Sequence, residues 1–284
     1  MSTKTVLITG GNAGLGLEIV RALYQSQQTY YIFLGSRSLE KAQAAIDGIK
    51  CQQLKSSTII QPIQIDVEDD LSISLALEEV EKKYGSLDIL VNNAGKWLYL
   101  SNHKVIIAHL LTKVGVAFDG ELHGGKIGLR EAWNKSWAVN TAGAHVMTYN
   151  FAPLLLKSTD PRLVFVASGT ATLTGHATEE RFSDKAPPKG WPKQELSWSA
   201  YRSSKTGMNM MMREWARVLK EDGVKVWAVS PGLLATNLGG DPEFLKNVGA
   251  LDPKVGADLV KDVIEGKRDA DVGKVVNKAG IQPW

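Results

Sequence analysis

The chain has 284 residues, which fits one large α/β domain or two smaller ones. Apolar residues make up 44% and charged residues 22% of the sequence, values typical of a folded globular protein, so global disorder is excluded. The 33 basic and 30 acidic residues leave a formal charge of +3 with no basic block, which favours a small-molecule partner over nucleic acid or a membrane surface.

Cysteine and histidine usage limits the redox and metal chemistry. The single cysteine, Cys51, excludes an intrachain disulfide and a multi-cysteine metal site. The five histidines show no HxxxH-type spacing and no clustered acids, so we predict no metal site. No charged segment precedes a long apolar run near the N-terminus, and no run reaches about 18 apolar residues, so we predict a cytoplasmic protein.

Apolar strand-like runs alternate with segments of helical period, which is typical of β-α-β units in a parallel sheet covered on both faces. The seven predicted strands are residues 6–9, 30–35, 59–65, 87–91, 163–167, 224–229 and 273–276. The six predicted helices are residues 15–23, 39–49, 71–84, 129–156, 200–219 and 255–264. Because no linker or internal repeat divides this set, we predict one doubly wound domain over residues 1–284.

A glycine-rich loop with the sequence TGGNAGLG, residues 9–16, follows the first predicted strand and opens the first predicted helix. Gly10 permits a tight turn, Gly14 lets the backbone approach a pyrophosphate, and Gly16 allows close helix packing. Free N–H groups at the start of the helix attract an anion. The loop predicts a nucleotide site, with a glycine turn that binds nothing as the alternative.

The end of the second predicted strand bears on the choice between two nucleotides. It reads Gly-Ser36-Arg37-Ser38, with no Asp or Glu to bind an adenosine 2′-hydroxyl. The Arg37 guanidinium and the Ser36 hydroxyl suit a 2′-phosphate instead, so the sequence favours NADP(H) over NAD(H). The alternative is that Ser38 caps the next helix and Arg37 is a solvated loop charge.

Several polar side chains fall at the predicted carboxyl edge of the sheet. Ser168 ends the fifth predicted strand, Asn140 lies in the helical segment before it, and an Asn-Asn-Ala-Gly segment at 92–95 follows the fourth. Tyr201 and Lys205 are four residues apart in a predicted helix and share one face. Because ligands bind at the carboxyl ends of parallel strands, we expect these groups to form one site.

Together these residues resemble the short-chain dehydrogenase/reductase family, in its NADP-preferring, carbonyl-reductase-like form. The matching motifs, in the expected order over nearly the whole chain, are TGxxxGxG at 9–16, Asp66-Val67, NNAG at 92–95, the Asn, Ser and YxxxK set, and Pro231-Gly232 followed by Thr236. The resemblance implies a Rossmann-type α/β domain that binds NAD(P)(H) and interconverts carbonyls and secondary alcohols.

The resemblance also implies the roles of individual residues. The implied catalytic residues are Asn140, Ser168, Tyr201 and Lys205. The implied cofactor-binding residues are Gly10, Asn12, Gly14, Leu15, Gly16, Ser36, Arg37, Asp66, Asn92, Ala94, Lys205, Pro231, Gly232 and Thr236. Of these, Asp66 and Asn92 would contact the adenosine side, and Thr236 would reach the nicotinamide carboxamide.

Tyr201 and Lys205 suit acid–base chemistry at a carbonyl group. Reduction of a ketone places negative charge on its oxygen, and a donor that hands over its proton removes that charge. Tyr201 is the candidate acid, and we expect the Lys205 ammonium, one helical turn away, to favour the phenolate and lower the pKa of Tyr201. By family resemblance, Ser168 would hold the substrate oxygen and Asn140 a proton-relay water.

Two insertions depart from the family pattern, at 96–115 and 169–199. The first is either a true insertion at the rim of the active site or intron sequence retained by an incorrect gene model. Its removal would join NNAG directly to the family-like segment that follows. The second contains Trp191 and Trp198 and is predicted to shape the substrate mouth, with an inert surface loop as the alternative.

The leading interpretation is an NADP(H)-dependent carbonyl reductase or alcohol dehydrogenase acting on a small-molecule substrate. One alternative is a ketoacyl-thioester reductase, and another is a catalytically idle NADP(H)-sensing regulator. The intact set of four candidate catalytic residues argues against the regulator. The sequence leaves open whether the protein is a monomer or a homo-oligomer.

Overall fold

The computed structural model describes residues 3–51, 56–95, 127–191, 198–239 and 241–284. The predicted insertion at 96–115 lies outside these ranges. The strands are β1 (Lys4–Ile8), β2 (Tyr30–Ser36), β3 (Ile59–Gln64), β4 (Ile89–Asn92), β5 (Arg162–Val166), β6 (Lys225–Val229), β7 (Val275–Asn277) and β8 (Gly280–Gln282). The helices are α1 (Gly14–Tyr24), α2 (Leu39–Lys50), α3 (Asp70–Tyr84), α4 (Leu129–Trp137), α5 (Ala144–Leu155), α6 (Leu173–Ala177), α7 (Ser199–Val218), α8 (Pro242–Asn247) and α9 (Pro253–Ile264).

The strands form one sheet in the order β3-β2-β1-β4-β5-β6-β7-β8. All neighbours from β3 to β7 are parallel, and β8 pairs antiparallel with β7. The predicted α/β sheet is confirmed, and β8 adds a strand to the predicted seven. Its three residues carry no apolar run, so the sequence pattern did not reveal it.

Helices cover both faces of the sheet because successive residues of each buried strand point to opposite sides. In β1, Val6 and Ile8 pack with apolar residues of α1, α2 and α9, whereas Leu7 packs with those of α3, α5 and α7. Met208 and Met212 of α7 are fully buried on the same side of the sheet as Leu7.

No helix in the described ranges combines the length and apolar character that a membrane crossing requires.

The single helix predicted at 129–156 is wrong, because the structure divides this segment. A π-helical turn at Ala138–Gly143 separates α4 from α5. A β-carbon at Gly143 would lie 2.5 Å from the carbonyl oxygen of Val67, so only glycine fits this close approach. Such π-turns are frequent at functional sites, and this one carries Asn140.

Candidate active site

The glycine-rich loop connects β1 to α1 and has the geometry of an anion cradle. Gly10 and Gly14 have φ values of 66° and 53°, in the region that favours glycine. A β-carbon at Gly16 would lie 2.2 Å from the Gly10 carbonyl oxygen and 2.5 Å from Nδ2 of Asn93. In the described part of the chain no side chain caps α1 at Ala13, so its first N–H groups remain available to a phosphate.

The segment after β4 is bound directly to this loop. The Thr9 hydroxyl accepts hydrogen bonds from the backbone N–H groups of Asn93, at 3.0 Å, and Ala94, at 2.9 Å. The side-chain amide of Asn93 donates to the Thr9 carbonyl at 2.8 Å. These bonds hold the two strand ends together, and neither Thr9 nor Asn93 was singled out for this role from the sequence.

Asn92 faces the interior of the protein. It is 5% exposed, and its Nδ2 donates to the Thr148 hydroxyl of α5 at 3.0 Å. A cofactor contact from Asn92 would therefore have to come from its backbone, because its side-chain nitrogen is engaged by α5 and its side-chain oxygen is buried. Sequence spacing could not show this, since Thr148 lies 56 residues away.

The end of β2 lies beside the glycine-rich loop because the Gly11 N–H donates to the Gly35 carbonyl at 2.8 Å. At this end Ser36 is buried and Arg37 is exposed. Ser38 caps α2 through its side chain, as the alternative interpretation of this segment predicted. The cap does not involve the Arg37 guanidinium, so binding of a 2′-phosphate by Arg37 stays a prediction.

Asp66 follows β3 at the same edge of the sheet. The preceding residue, Ile65, donates its N–H to the Ser36 carbonyl at 2.9 Å, which places Asp66 next to the end of β2. The Asp66 carboxylate accepts from the Glu68 N–H at 3.1 Å and is half-buried. Asp66 is thus on the side where the resemblance places adenosine.

The loop after β6 reaches the glycine-rich loop from the other side. Gly232 turns this loop with a φ of 90°, and Thr236 is buried beyond it. A β-carbon at Gly14 would lie 3.5 Å from Cβ of Thr236. The remaining predicted cofactor residues lie in the loops at the same edge or directly after them: Asn12, Leu15, Ala94 and Pro231.

Within the described ranges, no group of three or more His, Cys, Asp or Glu side chains could hold a metal ion.

Ser168 and Tyr201 meet at the carboxyl end of β5. The two side chains form a hydrogen bond, and the Ser168 hydroxyl also lies 2.9 Å from the Thr170 hydroxyl. The Thr170 N–H donates to Oγ of Ser168 at 3.2 Å. Thr170 was not anticipated, although its position two residues after Ser168 could have suggested a second hydroxyl at the site.

Lys205 lies one turn beyond Tyr201 on α7 and is buried. Its ammonium donates to the Val166 carbonyl, at the end of β5, over 2.8 Å. Burial lowers the pKa of Lys205 from 10.5 to about 8. Lys205 therefore connects α7 to β5, the strand that precedes Ser168.

The expected lowering of the Tyr201 pKa by Lys205 is wrong for this arrangement. Burial raises the pKa of Tyr201 above its ordinary value, and the hydrogen bond with Ser168 opposes the rise. The Lys205 ammonium donates to the Val166 carbonyl, and burial has the largest effect on the Tyr201 phenol. A phenol with a raised pKa stays protonated near neutrality and is a weaker acid than an ordinary tyrosine.

Asn140 joins this group through the π-turn. Its Nδ2 donates to the Ser204 hydroxyl at 3.0 Å, and Ser204 stands on α7 next to Lys205. Oδ1 of Asn140 lies 3.6 Å from where a β-carbon of Gly95 would be. The structure thus brings all four predicted catalytic residues to one edge, beside the glycine-rich loop.

The described part of the 169–199 insertion packs on the helix that carries Tyr201. The Asp184 carboxylate, almost completely buried, forms an ion pair with the Arg202 guanidinium at 2.7 Å. That guanidinium also lies over the ring of Trp198, 5.2 Å from its centroid. Trp191 is 88% exposed. The insertion is therefore anchored beside the site, and Trp198 is the tryptophan held there.

The sequence was compared with protein families and with known proteins. The model of the short chain dehydrogenase family matches residues 4–178 and 192–243. The chain is 43% identical over 286 residues to the short-chain dehydrogenase/reductase tropE of Talaromyces stipitatus, covering 99% of this chain and 98% of the relative. It is 40% identical over 288 residues to the short-chain dehydrogenase/reductase eupG of a Phoma species, covering 98% and 96%.

A solved structure shares the fold. The NADPH-bound carbonyl reductase from chicken fatty liver superposes with a TM-score of 0.73 at 20% identity, covering 100% of both chains. That likeness supports the fold, while the family follows from the sequence matches. From its motifs, its site geometry and these relatives, the chain belongs to the short-chain dehydrogenase/reductase family of oxidoreductases.

Proposed function

We propose that the protein is an NADP(H)-dependent oxidoreductase that interconverts a carbonyl compound and a secondary alcohol. The observation that carries this proposal is the hydrogen bond between half-buried Ser168 and buried Tyr201, which lies at the carboxyl edge beside a glycine loop suited to a pyrophosphate. The names of the relatives are in line with it.

The cofactor site fits a dinucleotide by its shape. Gly10 and Gly16 let the loop pack closely on Ala94 and on its own backbone, and Gly14 lies beside Thr236, which would contact the nicotinamide side of the cofactor. Arg37, exposed beside the loop, is the proposed partner of an adenosine 2′-phosphate. The structural neighbour from chicken fatty liver binds NADPH, in agreement with this choice. When bound, the nicotinamide ring supplies or accepts the hydride.

The chain's own side chains hold and move the proton. The Ser168 hydroxyl holds the substrate oxygen next to the Tyr201 hydroxyl, which donates its proton to that oxygen as negative charge develops. The buried ammonium of Lys205 adds positive charge to the site and would hold the ribose of the cofactor. Asn140, fixed by Ser204, positions the water through which Tyr201 regains its proton.

The test compares wild-type protein with Tyr201→Phe and Tyr149→Phe in NADPH oxidation over a panel of ketones and a ketoacyl thioester. Tyr149 is 70% exposed on α5, so its variant is the matched control. Tyr201→Phe should lower kcat by at least about a hundredfold and leave NADPH affinity within about twofold, because only the transferable proton is lost.

Retention of most of the rate by Tyr201→Phe would assign the proton to another group. Turnover by the wild-type protein of the thioester alone would select the ketoacyl-thioester alternative. Binding of NADPH without turnover of any substrate would select the idle regulator.

A further inference from the structure

The strand that the sequence did not reveal, β8, contacts the loop that carries Ser168. Gln282 on β8 is 5% exposed, and its Nε2 donates to the Ser168 carbonyl at 3.2 Å. The same carbonyl accepts from the Ala171 N–H at 3.1 Å. Ser168 lies past the end of β5, so these two donors replace the sheet hydrogen bonds that hold the strand itself.

A second contact follows two residues later. The Trp284 carbonyl accepts from the Thr174 N–H at 2.6 Å and from the Thr172 hydroxyl at 3.2 Å. The Arg213 guanidinium of α7 lies 5.9 Å from the centroid of the Trp284 ring. Residues 280–284 therefore bind the segment that follows Ser168 at two points and connect it to the sheet and to α7.

The peptide after Ser168 is surrounded by polar groups from three separate parts of the chain. A β-carbon at Gly169 would lie 3.4 Å from Nη2 of Arg181, 3.6 Å from Oγ of Ser230 and 3.8 Å from Oε1 of Gln282. Both Ser230 and Gln282 are buried. The backbone of this loop therefore has little room to move, and Gln282 is the side chain that bonds to it directly.

We propose that Gln282 is a positioning residue that acts through the Ser168 carbonyl to hold the Ser168 hydroxyl against Tyr201. The inference rests on the proposed catalytic role of Ser168. A displacement of about 1 Å in a reacting group can cost on the order of a hundredfold in rate, so a single buried hydrogen bond to this loop can matter for turnover.

A double-mutant cycle tests the proposal. Gln282→Met keeps the length of the side chain but removes its donor, and it is measured in the wild-type and Ser168→Ala backgrounds. We expect kcat to fall by at least about tenfold in the wild-type background and by less than about twofold in the Ser168→Ala background, because the residue acts through Ser168. NADPH affinity, measured by fluorescence titration, should stay within about twofold of wild type.

Ile281→Ala is the matched control, because Ile281 lies on the same strand with 50% exposure. An equal loss of kcat in both backgrounds, or an equal loss in Ile281→Ala, would mean that β8 contributes only general stability and would overturn the inference. An unchanged kcat in Gln282→Met would also overturn it. A fully active Ser168→Ala variant would instead refute the proposed role of Ser168 itself.

Discussion

Replacing Lys205 by methionine is expected to abolish turnover and yet to stabilise the folded protein at neutral pH. Lys205 is 5% exposed, and its ammonium is bound by the neutral carbonyl of Val166. Methionine has a similar length and no charge to desolvate. A residue whose removal makes the protein more stable but inactive is typical of an active site, where function is maintained against stability.

The size of this stabilisation follows from the pKa of Lys205. Burial holds the pKa of Lys205 at about 8, against 10.5 for the ordinary side chain, and each unit corresponds to about 1.4 kcal/mol. At pH 7 the charged lysine therefore costs the folded state about 3 kcal/mol. The hydrogen bond to Val166 offsets part of this cost, so about 3 kcal/mol is the upper value for the gain in Lys205→Met.

The free energy of unfolding must rise with pH, because the pKa of Lys205 is lower in the folded state than in the unfolded state. Below about pH 8 Lys205 is charged in both the folded and the unfolded protein, so the folded state carries the full cost of burying the charge. Between about pH 8 and 10.5 the folded protein loses this proton first, so the stability of the wild type rises with pH. The advantage of Lys205→Met should therefore shrink by about 2 kcal/mol between about pH 7 and pH 9.5.

Urea unfolding of wild type and Lys205→Met at these two pH values measures the change in the free energy of unfolding. Lys205→Arg is the control, because arginine stays charged in both states, so its difference from Lys205→Met should not vary with pH. An advantage of the methionine variant over wild type that is the same at both pH values would refute the reasoning. It would mean that Lys205 has the same pKa in the folded and unfolded chains.

Arg37→Asp should reduce the preference for NADPH over NADH by about 10- to 100-fold in cofactor titrations, because one charged hydrogen-bonded contact to phosphate is lost; an unchanged preference would refute the assignment. Trp198→Ala should raise KM for bulky ketones more than for small ones, whereas Trp191→Ala, at the exposed position, should have the smaller effect; equal effects on both ketone sizes would reduce the insertion to a surface loop. Mass spectrometry of the native protein should find no peptide spanning residues 97–104 if the segment 96–115 is intron sequence retained by an incorrect gene model, and detection of that peptide at full abundance would make the segment a true insertion.

Local patterns in the sequence were sufficient for the sheet and for most of its strands. The apolar runs predicted β1 to β7 because a strand buried on both faces needs apolar side chains on both. The glycine spacing predicted the cradle at Gly10, Gly14 and Gly16 because positive φ and close backbone approach admit few other residues. These features depend on near neighbours along the chain, so one sequence can reveal them.

The orientation of side chains and the environment of charges follow from contacts between distant parts of the chain. Asn92 turns inward because Thr148 meets it from another helix, and Lys205 bonds to Val166 instead of lowering the pKa of Tyr201. Strand β8 exists because β7 offers it an edge, and Gln282 reaches Ser168 across 114 positions of sequence. Burial and hydrogen-bond partners are set by elements distant along the chain, and local pattern carries no record of them.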